Sequence, residues 1–456
     1  MNGKEILKKA YSLEPIPRAP WVPFVGVHAA QLIHTDAETY LRSEDLMTQG
    51  LNEAIRLYQP DGIPVAFDLQ LEAEVLGCDL VWSKDNPPSV SSHPLGEGGD
   101  KKLSDLSIPK ATDGRIGKIL NVTRTLRQQH PDLALYGLIT GPFTLALHLC
   151  GTDIFMKMFT DESEVHDIMA FCTKVCKAMS QYYVEAGCDI IAVVDPMCSQ
   201  IGPDQFEQFV TPSCKDTFSY IKQLGAYSSF FVCGQAQHNI EEMCKCLPNN
   251  ISIDENIPLD YVRDTCLSHG VSYGGNLKLT VVLLMGDIDD TRRNIVECLD
   301  IAGKDYKGYI LSPGCDLAYA TPVANLVECG KLIKDTYQQD IVRALPEKIP
   351  HIKPLDLSTY VTKDVVKIDC VTLDSVACAA CQYMVEAARR AAEPYGEKVI
   401  VKEHSIKRQE GVEFMVAAGV KSIPSIVIDG EVKFKSNIPP IQEIRATIDL
   451  ALSKKK

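Results

Sequence analysis

Two short stretches, far apart in the chain, carry residues able to do chemistry together. Residues 227–234 read Tyr-Ser-Ser-Phe-Phe-Val-Cys-Gly, and residues 308–316 read Gly-Tyr-Ile-Leu-Ser-Pro-Gly-Cys-Asp. Each is an apolar, β-prone run that ends at a thiol beside a glycine. If both runs are parallel strands of one barrel, Cys233 and Cys315 emerge at the same rim. Two soft ligands converging there suggest a thiolate metal site. A second thiol pair, Cys378-Ala379-Ala380-Cys381, opens a helical pattern near the C-terminus. The positive end of a helix favours the Cys378 thiolate as nucleophile, with Cys381 resolving the mixed disulfide.

The elements that must position these residues follow from the periodicity. Apolar or β-branched runs at 21–27, 62–67, 134–140, 190–194, 227–232, 251–253, 272–275 and 309–311 alternate with helical patterns. Eight such runs predict a (β/α)8 TIM barrel in an α/β chain. In that fold, polar residues just after a strand line the active site. Asp68, Asp195, Cys233, Asp254, Glu255, Asn276 and Cys315 all fall at or near that position. The barrel is expected over 1–342. A stretch over 343–361, with three prolines among charges, reads as a linker. From 362 to 456 a compact βαβαββα pattern predicts a second, thioredoxin-like domain, with Ile423-Pro424 just ahead of its third strand.

The bulk properties narrow the function. A net charge of -14 with no basic stripe excludes nucleic acid as the expected partner. No apolar run is long enough to span a bilayer, and the Met-Asn-Gly-Lys-Glu start has no secretory core, so no membrane role is expected and the cytoplasm is the expected location. Seventeen cysteines without an export signal imply reduced thiols rather than a disulfide framework.

Over 15–335 the chain resembles the uroporphyrinogen decarboxylase superfamily. The residues that carry the likeness are Arg18-Ala19-Pro20, His28-Ala29-Ala30, Asp61-Gly62-Ile63 with Asp68, Glu72-Ala73-Glu74-Val75-Leu76-Gly77, and Gly141-Pro142-Phe143-Thr144. Asp195-Pro196, Cys233-Gly234, Gly275-Asn276 and Gly314-Cys315-Asp316 continue it. The likeness is strongest to the corrinoid-dependent branch, the methylcobamide:coenzyme M methyltransferases. It implies a corrinoid-binding partner protein, a small thiol or similar methyl acceptor, and zinc held by Cys233 and Cys315, with a further ligand from Glu255, Asp254 or Cys198, or from His28 or His238. It also implies catalytic roles for Asp68, Asp195 and Asn276, and contacts to substrate or cofactor from His28, Phe143 and Asp254. One departure stands out: that branch reads His-x-Cys-Gly where this chain reads Phe231-Val232-Cys233-Gly234. The alternative activity within the superfamily is a uroporphyrinogen decarboxylase-type lyase of porphyrin biosynthesis. Against it, the segment 25–30 has no arginine to grip a substrate rich in carboxylates. A third reading is a non-catalytic barrel scaffold beside a working redox domain. Residues 362–456 resemble the thioredoxin and glutaredoxin-like domains, which implies redox cycling at Cys378 and Cys381 and a cis-proline contact from Pro424.

Overall fold

The computed structural model describes residues 1–346, 355, 357, 360–362, 364–375 and 378–455. Most of the stretch expected as a linker (347–354, 356, 358 and 359) lies outside the described residues. By its internal contacts the chain divides into two units, Met1–Leu345 and Pro346–Lys456.

Unit one is built on seven parallel strands: β1 (Gly62–Pro64), β2 (Ala134–Thr140), β3 (Ile190–Val194), β4 (Tyr227–Val232), β5 (Asn250–Ile253), β6 (Ser272–Leu277) and β7 (Tyr309–Pro313). They pair in sequence order, with helices in the crossovers, as a TIM barrel requires. β2, β3 and β7 are buried throughout, so they read as continuous apolar runs rather than alternating ones.

The eighth place is filled differently from the expected strand over 21–27. Trp21 makes only an isolated parallel bridge to Leu311. The Val22 amide donates to the Leu311 carbonyl at 3.0 Å, and the Asp61 amide to the Trp21 carbonyl at 2.9 Å, so this segment links β7 to the start of β1. Pro20 and Pro23 flank it and have no amide hydrogen, so a full ladder cannot form.

The barrel interior is filled from below by the helix Gly3–Tyr11, whose Ile6, Leu7, Ala10 and Tyr11 pack with Tyr136, Ile190 and Ala192. Phe24, Phe67 and Phe231 belong to the same core, and Cys233 and Cys315 pack against it while remaining partly exposed.

Unit two has the sheet order β9-β8-β10-β11, where β8 is Val366–Thr372, β9 Val399–Ser405, β10 Ser425–Ile428 and β11 Glu431–Lys435. β8 and β9 are parallel and the other pairs antiparallel. The helices Ala379–Ala392 and Ile441–Ser453 pack on Val366, Ile368 and Cys370. Gln409–Ala417 packs with Val371 and Val427. No helix among the described residues is long and apolar enough to cross a membrane.

Candidate active site at the barrel mouth

Strand register decides which side chains share the rim. Thr140 pairs with Val194, Val194 with Phe231, Val232 with Ile253, Ser252 with Gly274, and Leu277 with Pro313. The residues that follow these strand ends therefore come to one level. Cys233 and Cys315, 82 positions apart, meet there with their sulfurs 2.9 Å from each other. The contact with Cys315 pushes the Cys233 thiol well above its usual range, and burial and the charges of Asp254 and Asp316 add to the rise.

Two acidic residues hold this corner. Asp254 accepts from the Gly234 amide at 2.9 Å and from both the backbone and side-chain nitrogens of Asn256, which fixes the turn that presents Cys233. Burial raises its carboxyl. Glu255 accepts from the Leu279 amide at 2.5 Å. Burial, with the neighbouring Asp254 charge, pushes its carboxyl up to about 8. A Cβ on Gly314 would lie 2.5 Å from the Glu255 nitrogen, so glycine is what lets the Cys315 loop approach Glu255 so closely. Asn276 donates to the carbonyls of Asp254, at 3.2 Å, and Ile257, at 2.7 Å. Its amide is engaged in shaping the same loop.

The remaining candidate residues are brought to other tasks. Asp195 is fully buried and caps the helix Pro142–Cys150 from outside, accepting from the amides of Phe143 and Thr144 and from the Thr144 hydroxyl. Burial nonetheless lifts its carboxyl to about 6. Its oxygens are aimed at the helix start. Phe143 has no exposed surface and packs edge-on to Phe155. His28 is buried, with Nδ1 at 3.0 Å from the Tyr319 carbonyl and Nε2 at 2.7 Å from the Tyr58 hydroxyl. Burial lowers it to about 4, so the ring is neutral, donates to the carbonyl and accepts from Tyr58. Both ring nitrogens are engaged by these partners.

Asp68 is buried, accepts from the Gln70 amide at 2.9 Å and is ion-paired with Arg115. Arg115 also bonds Glu74 at 2.7 Å and lies over the ring of Trp82. Nearby Glu72 is buried against Thr140, and burial lifts it to about 7. Arg115, Trp82 and Glu72 were not singled out as site residues from the sequence. A lone arginine after Gly114, heading an apolar helix, was the one available signal.

The expected zinc site does not fit these residues. Position 231 is a phenylalanine whose ring packs 5.0 Å from that of Phe24, and the expected third ligand, Glu255, serves backbone amides. Among the described residues no group of three or more His, Cys, Asp and Glu is arranged to hold a metal ion. A catalytic zinc takes three protein ligands, and two thiols fall short of that.

In unit two, Cys378 and Cys381 are joined by a disulfide. Cys378 is the N-cap of the helix Ala379–Ala392, its sulfur accepting from the Cys381 amide at 3.3 Å. Cys378 is partly exposed and Cys381 buried. Glu403 ties the loop before the pair, accepting from the Thr372 and Ser375 hydroxyls and the Ser375 amide. Pro424 is buried and follows a cis peptide bond.

Comparison with known proteins agrees with this architecture. Residues 2–335 match the uroporphyrinogen decarboxylase (URO-D) family and residues 366–449 the thioredoxin domain family. The methylcobamide:CoM methyltransferase MtbA of Methanosarcina acetivorans is 30% identical over 344 residues, covering 73% of this chain and 98% of that protein. The uroporphyrinogen decarboxylase of a Wolbachia strain is 24% identical over 301 residues, covering 64% of this chain and 82% of that protein. A solved methyltransferase from Methanosarcina mazei has the same fold at a TM-score of 0.68, with 24% identity and coverage of 74% of this chain and 99% of that one. With a parallel barrel, a rim of thiols and carboxylates, and a match over 2–335, the chain belongs to the uroporphyrinogen decarboxylase family and carries a thioredoxin domain over residues 366–449.

Proposed function

We propose that the barrel mouth moves a methyl group between a corrinoid-carrying partner protein and a small thiol, in the cytoplasm, and that the C-terminal unit performs thiol–disulfide exchange. The methylcobamide:CoM methyltransferases among the relatives support the reaction class. The observation that carries the reading is the sulfur pair Cys233 and Cys315, 2.9 Å apart and partly exposed, on the loops that Asp254 and Glu255 hold.

A thiol attacks a methyl carbon only as thiolate, so the site must remove one proton. Glu255, with its carboxyl near 8, is suited to take that proton at neutral to mildly alkaline pH, because a base works best when its pKa lies near the working pH. The new sulfur–carbon bond forms as the carbon–cobalt bond breaks, and the bonding electrons stay with cobalt. Cys233 and Cys315 offer soft, polarisable contact to the incoming sulfur, and Asp254 holds their turn in place. No step is drawn through a resident metal.

The test is to mix the purified full chain with methylcobalamin and 2-mercaptoethanesulfonate and to follow loss of the methylcobalamin absorbance. Thiol-dependent demethylation that falls in Cys233→Ser and Cys315→Ser is the expected result. No demethylation above the protein-free rate would leave the scaffold reading standing. Consumption of uroporphyrinogen would select the decarboxylase reading instead.

A further inference from the structure

The interior of the barrel mouth holds two hydroxyls that no described residue satisfies. Ser252 pairs in register with Phe231, whose ring lies in the barrel core, so the Ser252 side chain faces the same interior. Ser312 stands two residues beyond Ile310 of that core and points the same way, level with Asn276. The two residues are 3% and 1% exposed, and neither hydroxyl has a hydrogen-bond partner among the described residues. Ser252 comes two residues before Asp254 and Ser312 three before Cys315, so both lie beneath the thiol corner. A buried hydroxyl without a partner is unfavourable, and a polar group on a bound molecule would satisfy both.

Charge at this corner is of one sign. The charges of Asp254 and Asp316 both reach the Cys233 sulfur. Asp316 directly follows Cys315 and lies against Gly26, where a Cβ would overlap its carboxylate. Two rim cations are already engaged, Arg115 with Asp68 and Glu74, and Lys278 with Glu297 at 3.3 Å. The segment 25–30 brings neither arginine nor lysine. An anionic head on a small molecule is repelled by both carboxylates here. An ammonium group is attracted by both and carries three N–H donors for the serine oxygens.

We propose that the small thiol taken at this mouth carries an ammonium group on a short stem, drawn by Asp254 and Asp316 and hydrogen-bonded to Ser252 and Ser312, and that thiols with an anionic head are disfavoured. The stem is short because both charges adjoin the sulfurs in the fold. The role of the thiol rests on the methyl-transfer reading, but the preference belongs to the mouth itself and is measured without a methyl donor.

The experiment titrates the full chain with three methyl thioethers, followed by ligand-observed NMR. They are 2-(methylthio)ethylamine, 2-(methylthio)ethanol and 2-(methylthio)ethanesulfonate, which share one stem and carry a positive charge, none and a negative charge. Their sulfur has no proton to lose, so the titration reads binding alone. The ammonium compound should bind at least about tenfold more tightly than the sulfonate, with the alcohol between them, as a cleft of one sign implies. Raising salt from about 0.05 M to about 0.5 M should narrow the gap, because mobile ions screen it. Asp316→Asn should narrow it too, and Ser312→Ala should weaken the ammonium and alcohol compounds by about two- to tenfold.

No saturable binding of the ammonium compound would overturn the proposal, and so would a sulfonate bound as tightly or more tightly. A preference unchanged in both Asp316→Asn and Ser312→Ala would place the binding elsewhere on a chain of net charge -14 and overturn it as well. Thermal melts establish that the variants are folded. The salt series on the wild-type chain needs no variant, and a gap that salt leaves unchanged also counts against the proposal. Methylcobalamin demethylation is then compared with cysteamine, 2-mercaptoethanol and 2-mercaptoethanesulfonate, each corrected for its protein-free rate. Values of kcat/KM should fall in that order, and the reverse order would overturn the preference. Binding of the ammonium thioether with no demethylation by any of the three thiols would defeat the methyl-transfer reading and leave the preference of the mouth standing.

Discussion

Replacing Glu255 with glutamine tests the site through both stability and rate. Glu255 keeps its proton up to about pH 8 in the folded protein but only to about 4.5 when unfolded. Between those values the folded state binds the extra proton. Stability therefore falls as pH rises across this window, and the loss is complete above about 8. Taken at face value, a shift of that size corresponds to about 5 kcal/mol. The side chain is partly exposed at the rim, so water reduces this, and a penalty of about 1–2 kcal/mol is the reasonable scale. Glu255→Gln removes the penalty while its amide oxygen can still accept from Leu279. The variant should match wild type near pH 4.5 and exceed its melting temperature by several degrees at pH 9. Thermal melts at half-unit pH steps measure this. Activity should move the other way. Wild-type demethylation of methylcobalamin should rise with pH around a midpoint near 8, and the variant should lose this limb with a rate drop of about 10²- to 10⁴-fold. The acceptor's own ionisation is subtracted by running the protein-free reaction in parallel. A variant with wild-type rate and profile, or a melting difference that does not grow with pH, would refute Glu255 as the base.

Arg115→Ala leaves the Asp68 carboxylate buried without its ion-pair partner and should cost about 3–5 kcal/mol in urea unfolding; Arg115→Met combined with Asp68→Leu should recover most of it. Gly314→Ala drives a methyl group against the Glu255 nitrogen, for a loss of about 1–3 kcal/mol and a lower demethylation rate, read from the same two assays. Wild-type protein should carry well under one zinc per chain by elemental analysis. Phe231→His, which adds a nitrogen donor one turn of strand below Cys233, should raise zinc toward one per chain at a stability cost of about 1–3 kcal/mol for burying the imidazole.

The strands were legible because a barrel strand buried on both faces must be apolar along its whole length. Ala134–Thr140, Ile190–Val194 and Tyr227–Val232 follow directly from their residues. The CxxC at a helix start and the proline before β10 are local patterns too, and local chemistry suffices to read them. The segment after Pro20 looks like a strand by the same rule, but the prolines on either side limit it to a bridge. Partners were a different matter. Asp195 directly follows a buried strand, and it accepts hydrogen bonds from residues 143 and 144, more than fifty positions away. His28 has its nitrogens filled by Tyr58 and Tyr319, and Asp68 meets an arginine 47 residues on. The sequence thus set which backbone becomes strand or helix, since that depends on neighbours in the chain. Tertiary structure alone decided which carboxylates are caps and which are paired, because a buried polar group takes whatever partner the closed barrel brings to it; the convergence of Cys233 and Cys315 on one rim was readable from the strand pattern, and the fold added their 2.9 Å separation.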